Sequence, residues 1–154
     1  MRIELRYGFI LAIVNFLWLF MEYALGIQTT TKELYVTIDY LALVPIVTIY
    51  VLALRAKRQQ QAGLLTWGQG FRVGIMLTLI AAAFNPLFNY IYYTLIHPGF
   101  FAESQAYSVQ AKLMSAEEAA RYFTVANYIA LGIMGMVING VIASLIVATV
   151  LKRT

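Results

Sequence analysis

FTVANYIALGIMGMVINGVIASLIVATVL, residues 123–151, holds no Asp, Glu, Lys, Arg or His. Crossing hydrocarbon takes about 20 mostly apolar residues, and this run is longer than that. Three more runs of the same kind lie upstream: Tyr7 to Ile27, Leu34 to Leu54 and Phe71 to Ile96. At the helical rise of about 1.5 Å per residue, the first two are about 30 Å long and the last two about 40 Å. The long pair is therefore expected to tilt, kink or project beyond a membrane. The first run has a basic start, but it is long for a cleaved signal and Glu22 interrupts it, so it reads as a membrane helix.

Composition points the same way. Apolar residues make up 62% of the 154 and charged residues 12%, against about 45–50% and about 25% in soluble domains. Such a chain has too little polar surface to face water all round. The length suits one unit, residues 1–154, and the fold class expected is all-α, an integral membrane four-helix bundle. The net charge of +4 does not mark a nucleic-acid binder, because the basic residues form no stripe and sit at the ends of the apolar runs.

Lys and Arg set the expected orientation. Arg2, Arg6, Arg55, Lys57, Arg58, Arg72, Lys152 and Arg153 fall on one side; Lys32, Lys112 and Arg121 fall on the other. Both termini and the 55–70 loop are expected in the cytoplasm, and the 97–122 segment outside. That segment is too polar to span. A short extracytoplasmic helix is expected at about 102–113. Ser115 and Glu118 have capping-box spacing, so the fourth helix is expected to begin near Ser115.

Within the third run stands the stretch AAAFNPLFNY, residues 81–90. Pro86 has no N–H for the Ala82 carbonyl, and its ring clashes there, so the third helix is expected to kink. Asn85 and Asn89, one turn apart, serve either as partners for freed backbone groups and neighbouring helices or as the wall of a polar cavity. Gly70, Gly74, Thr78, Ala82 and Pro86 recur every four residues. Gly132, Gly140, Ser144 and Ala148 form a stripe on the fourth helix. Small residues let helix backbones approach closely in lipid, so these stripes are expected to pack together, with Asn127 and Asn139 as polar partners.

Two carboxylates lie inside the apolar runs. Glu22 precedes the outer end of the first, and Asp39 follows the outer start of the second. In an antiparallel hairpin both sit about five residues, or about 7 Å, below the interface. Charged groups at such positions are costly and often functional. They share a proton or cation, with His97 nearby, or they reach interfacial water and pair with Lys32 or Arg121. Glu4 is expected to pair with Arg72 or Arg6.

No chemistry-bearing motif is present. One His and no Cys leave no ordinary zinc site, and the glycines at 68, 70 and 74 are misplaced for a dinucleotide fingerprint. No catalytic residue, metal or cofactor is expected, and the chain reads as a non-enzyme.

GLLTWGQGFRVGIML (63–77), an apolar run ending in IHPGF (96–100), and the terminal GVIASLIVATVLKRT (140–154) resemble the bacterial domain of unknown function 4199 (DUF4199) family. Its members are small four-pass proteins. The resemblance implies a bacterial cytoplasmic (inner) membrane location and brings no activity, so no functional residue is carried over. The function expected is a non-enzymatic structural or accessory subunit, bound to the lipid bilayer and to itself or another membrane protein. The alternative is a small oligomeric transporter or channel for a cation, proton or small solute, with Glu22, Asp39, Asn85 and Asn89 along its path. The first predicts a dry core, the second a wet cleft.

Overall fold

A computed structural model of the chain describes residues 2–27, 38 and 40–153. Asp39, Lys32 and the start of the expected second span fall outside the described residues. Among those described there is no strand. Helix α1 runs Arg2–Ala24. A 3-10 turn, Tyr40–Ala42, leads into α2, Leu43–Gln60. Helix α3, Trp67–Ile91, ends in a π turn, Tyr92–Ile96. Two short helices follow, α4 at Phe100–Gln110 and α5 at Ala116–Tyr122, and then α6 at Val125–Leu151. Four stretches are long and apolar enough to cross a membrane: Arg2–Ala24, Tyr40–Gln60, Trp67–Ile96 and Val125–Leu151.

Local chemistry sets the helix boundaries. Thr66 accepts from the Gln69 backbone N–H at 3.3 Å, and the Gln69 side chain accepts from Thr66 at 3.0 Å. This capping box satisfies two orphan donors and starts α3 at Trp67, one turn before Phe71. Pro45 stands in the first turn of α2, where its missing N–H costs nothing. That helix runs on to Gln60, so Lys57 and Arg58 occupy its last turn, where the helix dipole favours cations. Gly63, at φ +88°, then turns the chain and donates to the Arg58 carbonyl at 3.0 Å.

The fourth span does not begin at Ser115. The capping box there forms, with Ser115 and Glu118 bonded at 2.9 Å and 3.3 Å, but the helix it starts ends at Tyr122. Thr124 caps a fresh helix by accepting from Asn127 N–H at 3.2 Å. Asn127 donates its side-chain amide to the Tyr122 carbonyl at 2.8 Å. It therefore bridges this break and is not a partner for α3.

Pro86 lies inside α3 with helix on both sides. Farther along, the helix changes to π geometry, where His97 N–H reaches the Tyr92 carbonyl, five residues back, at 2.8 Å.

Helix α3 is central. Its most extensive partner is α6, then α1, and it also touches α2. Against α6 it runs antiparallel: Gly70 faces Ala148, Gly74 faces Ser144, and Thr78 faces Gly140. Ala82 is buried one turn on, followed by the half-buried Pro86. Against α1 it runs parallel. Gly8 meets Ile80, and Phe9 and Phe16 meet Phe84 and Phe88, each with ring centroids 5.1 Å apart.

One end of the helices collects both chain ends. Lys57 pairs with Glu4 at 3.0 Å, because antiparallel α1 and α2 set those positions opposite each other; Arg72 and Arg6 are not its partners in that contact. Leu65 and Arg153 exchange two backbone hydrogen bonds, at 2.9 Å and 2.8 Å. The 61–66 connector is thereby joined to the end of α6.

Large apolar side chains face outward all along the helices, among them Leu17, Phe20, Leu79, Leu87, Ile138 and Ile146. In the most apolar part of α6 only 17% of residues are buried. Outward apolar faces of this extent are stable in hydrocarbon and not in water. The chain reads as a multi-pass membrane protein.

Candidate functional site

The half of the helices nearer the chain ends is packed solid. Leu11 and Ala12 of α1, Ile49, Tyr50 and Leu54 of α2, Leu77 and Ala81 of α3, and Ala143 and Val147 of α6 form one buried cluster. Tyr50 is its polar element. Its hydroxyl lies 2.8 Å from the Thr78 hydroxyl, which donates to the Gly74 carbonyl at 3.0 Å. A buried tyrosine needs such a partner, and this one binds α2 to α3 at Thr78, which faces Gly140 of α6.

Above that plug the helices separate. A cavity of about 530 Å³ extends from Leu11, Tyr50, Ala81 and Gly140 toward the end that carries α4 and α5. Tyr40 and Asn139, both exposed, belong to its wall, so it is open and not sealed.

Three helices lend the cavity amide and carboxyl groups. From α1 come Asn15 and Glu22; from α3, Asn85 and Asn89; from α6, Asn139. Asn15 donates to the Leu11 carbonyl at 2.8 Å, leaving its carbonyl oxygen as an acceptor. Asn89 donates to Asn85 at 2.8 Å, the one-turn contact that their spacing allows. Gly132 of α6 makes room for this pair: a Cβ there would lie 3.1 Å from Asn89 Nδ2 and 3.2 Å from Asn85 Oδ1. Glu22 is 1% exposed, and Trp18, one turn earlier, donates its indole N–H to Glu22 Oε1 at 2.9 Å.

Aromatic rings line the upper part. Tyr93, on the π turn, packs at a tilt against Phe100 and Phe101 of α4, with ring centroids 5.0 Å and 4.8 Å away, and meets Tyr128 of α6 at 5.8 Å. Tyr93, Tyr122 and Tyr128 also line the cavity. Tyr93 thus reaches the cavity from a π turn, a feature that recurs at functional sites.

The structure thus separates the residues singled out in the sequence. Glu22, Asn85 and Asn89 share one cavity. His97 does not line it. This histidine is 4% exposed, sits 4.5 Å from the Tyr23 ring, and has Nε2 3.4 Å from Glu103 Oε2 on α4. Asp39 lies outside the described residues. Gly70, Gly74, Gly140 and Ser144 form the α3–α6 contact, while Gly132 belongs to the cavity wall. Asn15 was not singled out. Its signal, an amide inside a long apolar run, is the same as that of Asn85. Among the described residues no three His, Cys, Asp or Glu side chains gather as metal ligands would.

The family model described as "Protein of unknown function (DUF4199)" matches residues 6–153. No curated protein and no solved structure matches the chain.

Proposed function

The chain belongs to the DUF4199 family, and on that premise, which assigns no activity, we propose that it is a small-solute carrier of the membrane. The cavity above the Tyr50–Thr78 plug is its binding site. The single observation behind this reading is the convergence of Glu22, Asn15, Asn85, Asn89 and Asn139 on one cavity. Polar groups inside the bilayer are costly and mark solute paths. The accessory-subunit reading predicts a dry core, and a cavity with polar groups supports the carrier reading over it. The plug closes the end that holds the termini, so the cavity serves the opposite side. Carriers alternate between such states by moving one group of helices against another.

The same reading places the termini in the cytoplasm, on the strength of the eight basic residues at that end. It makes the protein a non-enzyme of the bacterial inner membrane. A four-helix chain has little interior to share, so copies are proposed to associate.

The chain has no cysteine, so single introduced cysteines report without background. Asn15→Cys and Asn139→Cys should react with a membrane-impermeant maleimide added outside cells, while Ala53→Cys in the plug should not. Tyr50→Phe should raise labelling of Asn15→Cys from the cytoplasmic side. An Asn15→Cys that is inert from both sides would reject the carrier reading.

A further inference from the structure

The carrier reading leaves the cargo unnamed. Resting on it, we infer that the cavity takes the polar head of a membrane amphiphile, whose apolar chain lies in the lipid through a slot between α2 and α6. Three observations carry this.

The first is where the cavity opens. Among the described residues, those that line it from α1 and α3 are buried or half-buried. The exposed ones are Tyr40 and Leu43 at the start of α2, Asn139 in α6, and Tyr122 just before α6. The wall is therefore interrupted on the side of α2 and α6. These helices meet below the cavity, where Ile49 and Leu54 join Ala143 and Val147 in the buried cluster. Above that level they part.

The second is how deep the slot runs. Asn139 stands beside Gly140, which faces Thr78 of the plug. It lies 14 residues after Val125 and 12 before Leu151, the two ends of α6. Along the axis that is about 21 Å and about 18 Å. The slot thus reaches the middle of a bilayer whose hydrocarbon is about 30 Å thick. Its edges are apolar: Val47, one turn after Leu43, is exposed, and so are Ile138 and Ile142 on either side of Asn139. An opening so placed meets acyl chains. An amide exposed at that depth is costly unless a polar group joins it, and the head of an amphiphile supplies one.

The third is the double character of the lining. Asn89 donates to the Asn85 carbonyl at 2.8 Å, which leaves Asn85 an N–H donor and Asn89 a carbonyl acceptor. Asn15 keeps an acceptor after donating to Leu11. Together these amides suit a head rich in hydroxyl or amide groups, which both give and take hydrogen bonds. Leu43, Ile46 and Leu131 line the same cavity and suit an alkyl chain. The volume, about 530 Å³, lies within the range of about 300–1,000 Å³ usual for organic ligands. The rest of the chain needs no room inside, because it stays in the bilayer. A head that moves among amides avoids the several kcal/mol, about 2–7 per group, of entering hydrocarbon without partners.

The test uses the full chain in lipid nanodiscs with a monoacylglycerol that carries a diazirine midway along its acyl chain. After illumination, mass spectrometry maps the labelled peptides. Labelling near Leu43 and Asn139 should saturate, and excess monododecanoylglycerol should lower it at least fivefold. Glycerol, the head alone, and dodecane, the chain alone, should not. Leu79 and Leu87, exposed on α3, should be labelled without saturation. Gly135 lines the cavity, and a Cβ there meets nothing within 4 Å. Gly135→Phe therefore fills the space without displacing a neighbour and should cut the saturable labelling at least fivefold. If that variant fails to fold, the competition on the parent chain decides alone. Unsaturable labelling at the slot, equal competition by glycerol or by dodecane, or undiminished labelling in a folded Gly135→Phe overturns the inference. If Asn15→Cys still reacts with the maleimide in that event, the cavity stands and its cargo comes from water. An Asn15→Cys inert from both sides takes the carrier reading down as well.

Discussion

Gly74 and Ser144 face each other across α3 and α6 with no room for a methyl group: a Cβ on Gly74 would lie 2.7 Å from Ser144 Cβ and 3.1 Å from its Cα. The obstacle includes backbone, so rotamer changes cannot relieve it. Gly74→Ala should destabilise the protein by about 1–3 kcal/mol, the usual cost of overpacking. Gly135, in α6 with no atom within 4 Å of a built Cβ, supplies the opposite case. Gly135→Ala should be neutral or stabilising by roughly 0.5–1 kcal/mol, because alanine is the better helix former. Reversible unfolding in mixed micelles measures both. Equal effects at the two glycines would show that α3 and α6 do not meet at this point.

Helix α1 depends on Gly8 in the same way. A Cβ there would lie 2.7 Å from Ile80 Cβ, and Ile is stiff at χ1. Gly8→Ala should lower stability by about 1–3 kcal/mol, and Ile80→Ala in the same chain should recover part of the loss. Strict additivity of the two changes would contradict the parallel α1–α3 contact.

The plug is open to a double-mutant cycle. Tyr50→Phe and Thr78→Val each remove one side of the hydroxyl pair. The coupling energy should fall near about 0.6 kcal/mol and no higher than about 1.7, the span found for hydrogen bonds between membrane helices. A coupling of zero would mean that the two hydroxyls have other partners in the bilayer.

Lys57 and Glu4 form a partly buried ion pair. Lys57→Met and Glu4→Gln remove the same contact, so their effects on stability should be less than additive. Strict additivity would place the pair in water.

Glu118 gives a pH dependence outside the membrane. The backbone N–H and hydroxyl of Ser115 bind its carboxylate and hold its pKa below the ordinary glutamate value. A depressed folded pKa means that the cap stabilises α5 fully above the ordinary value. That support disappears as pH falls through the folded one. A carbon-13 titration of Glu118 should show a midpoint below the ordinary range, returning toward it in Ser115→Ala. An ordinary midpoint in the parent chain would mean that the capping box is open in solution.

Much of the architecture is readable from residue type alone. Four apolar runs separate on hydropathy, and a four-residue recurrence of small side chains at Gly70, Gly74 and Thr78 marks the face that meets α6. Asn85 and Asn89 are conspicuous because lipid tolerates amides poorly. The reading fails where one residue acts without a pattern. Gly8 is a lone glycine, and nothing in the sequence identifies Ile80 as its neighbour. Thr66 and Gln69 have capping-box spacing, but the glycines around them suggest a turn. The break at Phe123–Thr124 follows a stronger cap signal at Ser115, and a cap announces a start without saying how far the helix runs. Nor does linear spacing show that His97 turns toward Glu103 while Glu22 turns toward Trp18. That choice depends on the π turn and on the short helix α4.

The backbone stitch between Leu65 and Arg153 has a mechanical consequence. It fastens the α2–α3 connector to the tail of α6, and the glycine seam locks the two longest helices along their length. Any rocking motion that uncorks the cavity toward the termini must leave this block intact.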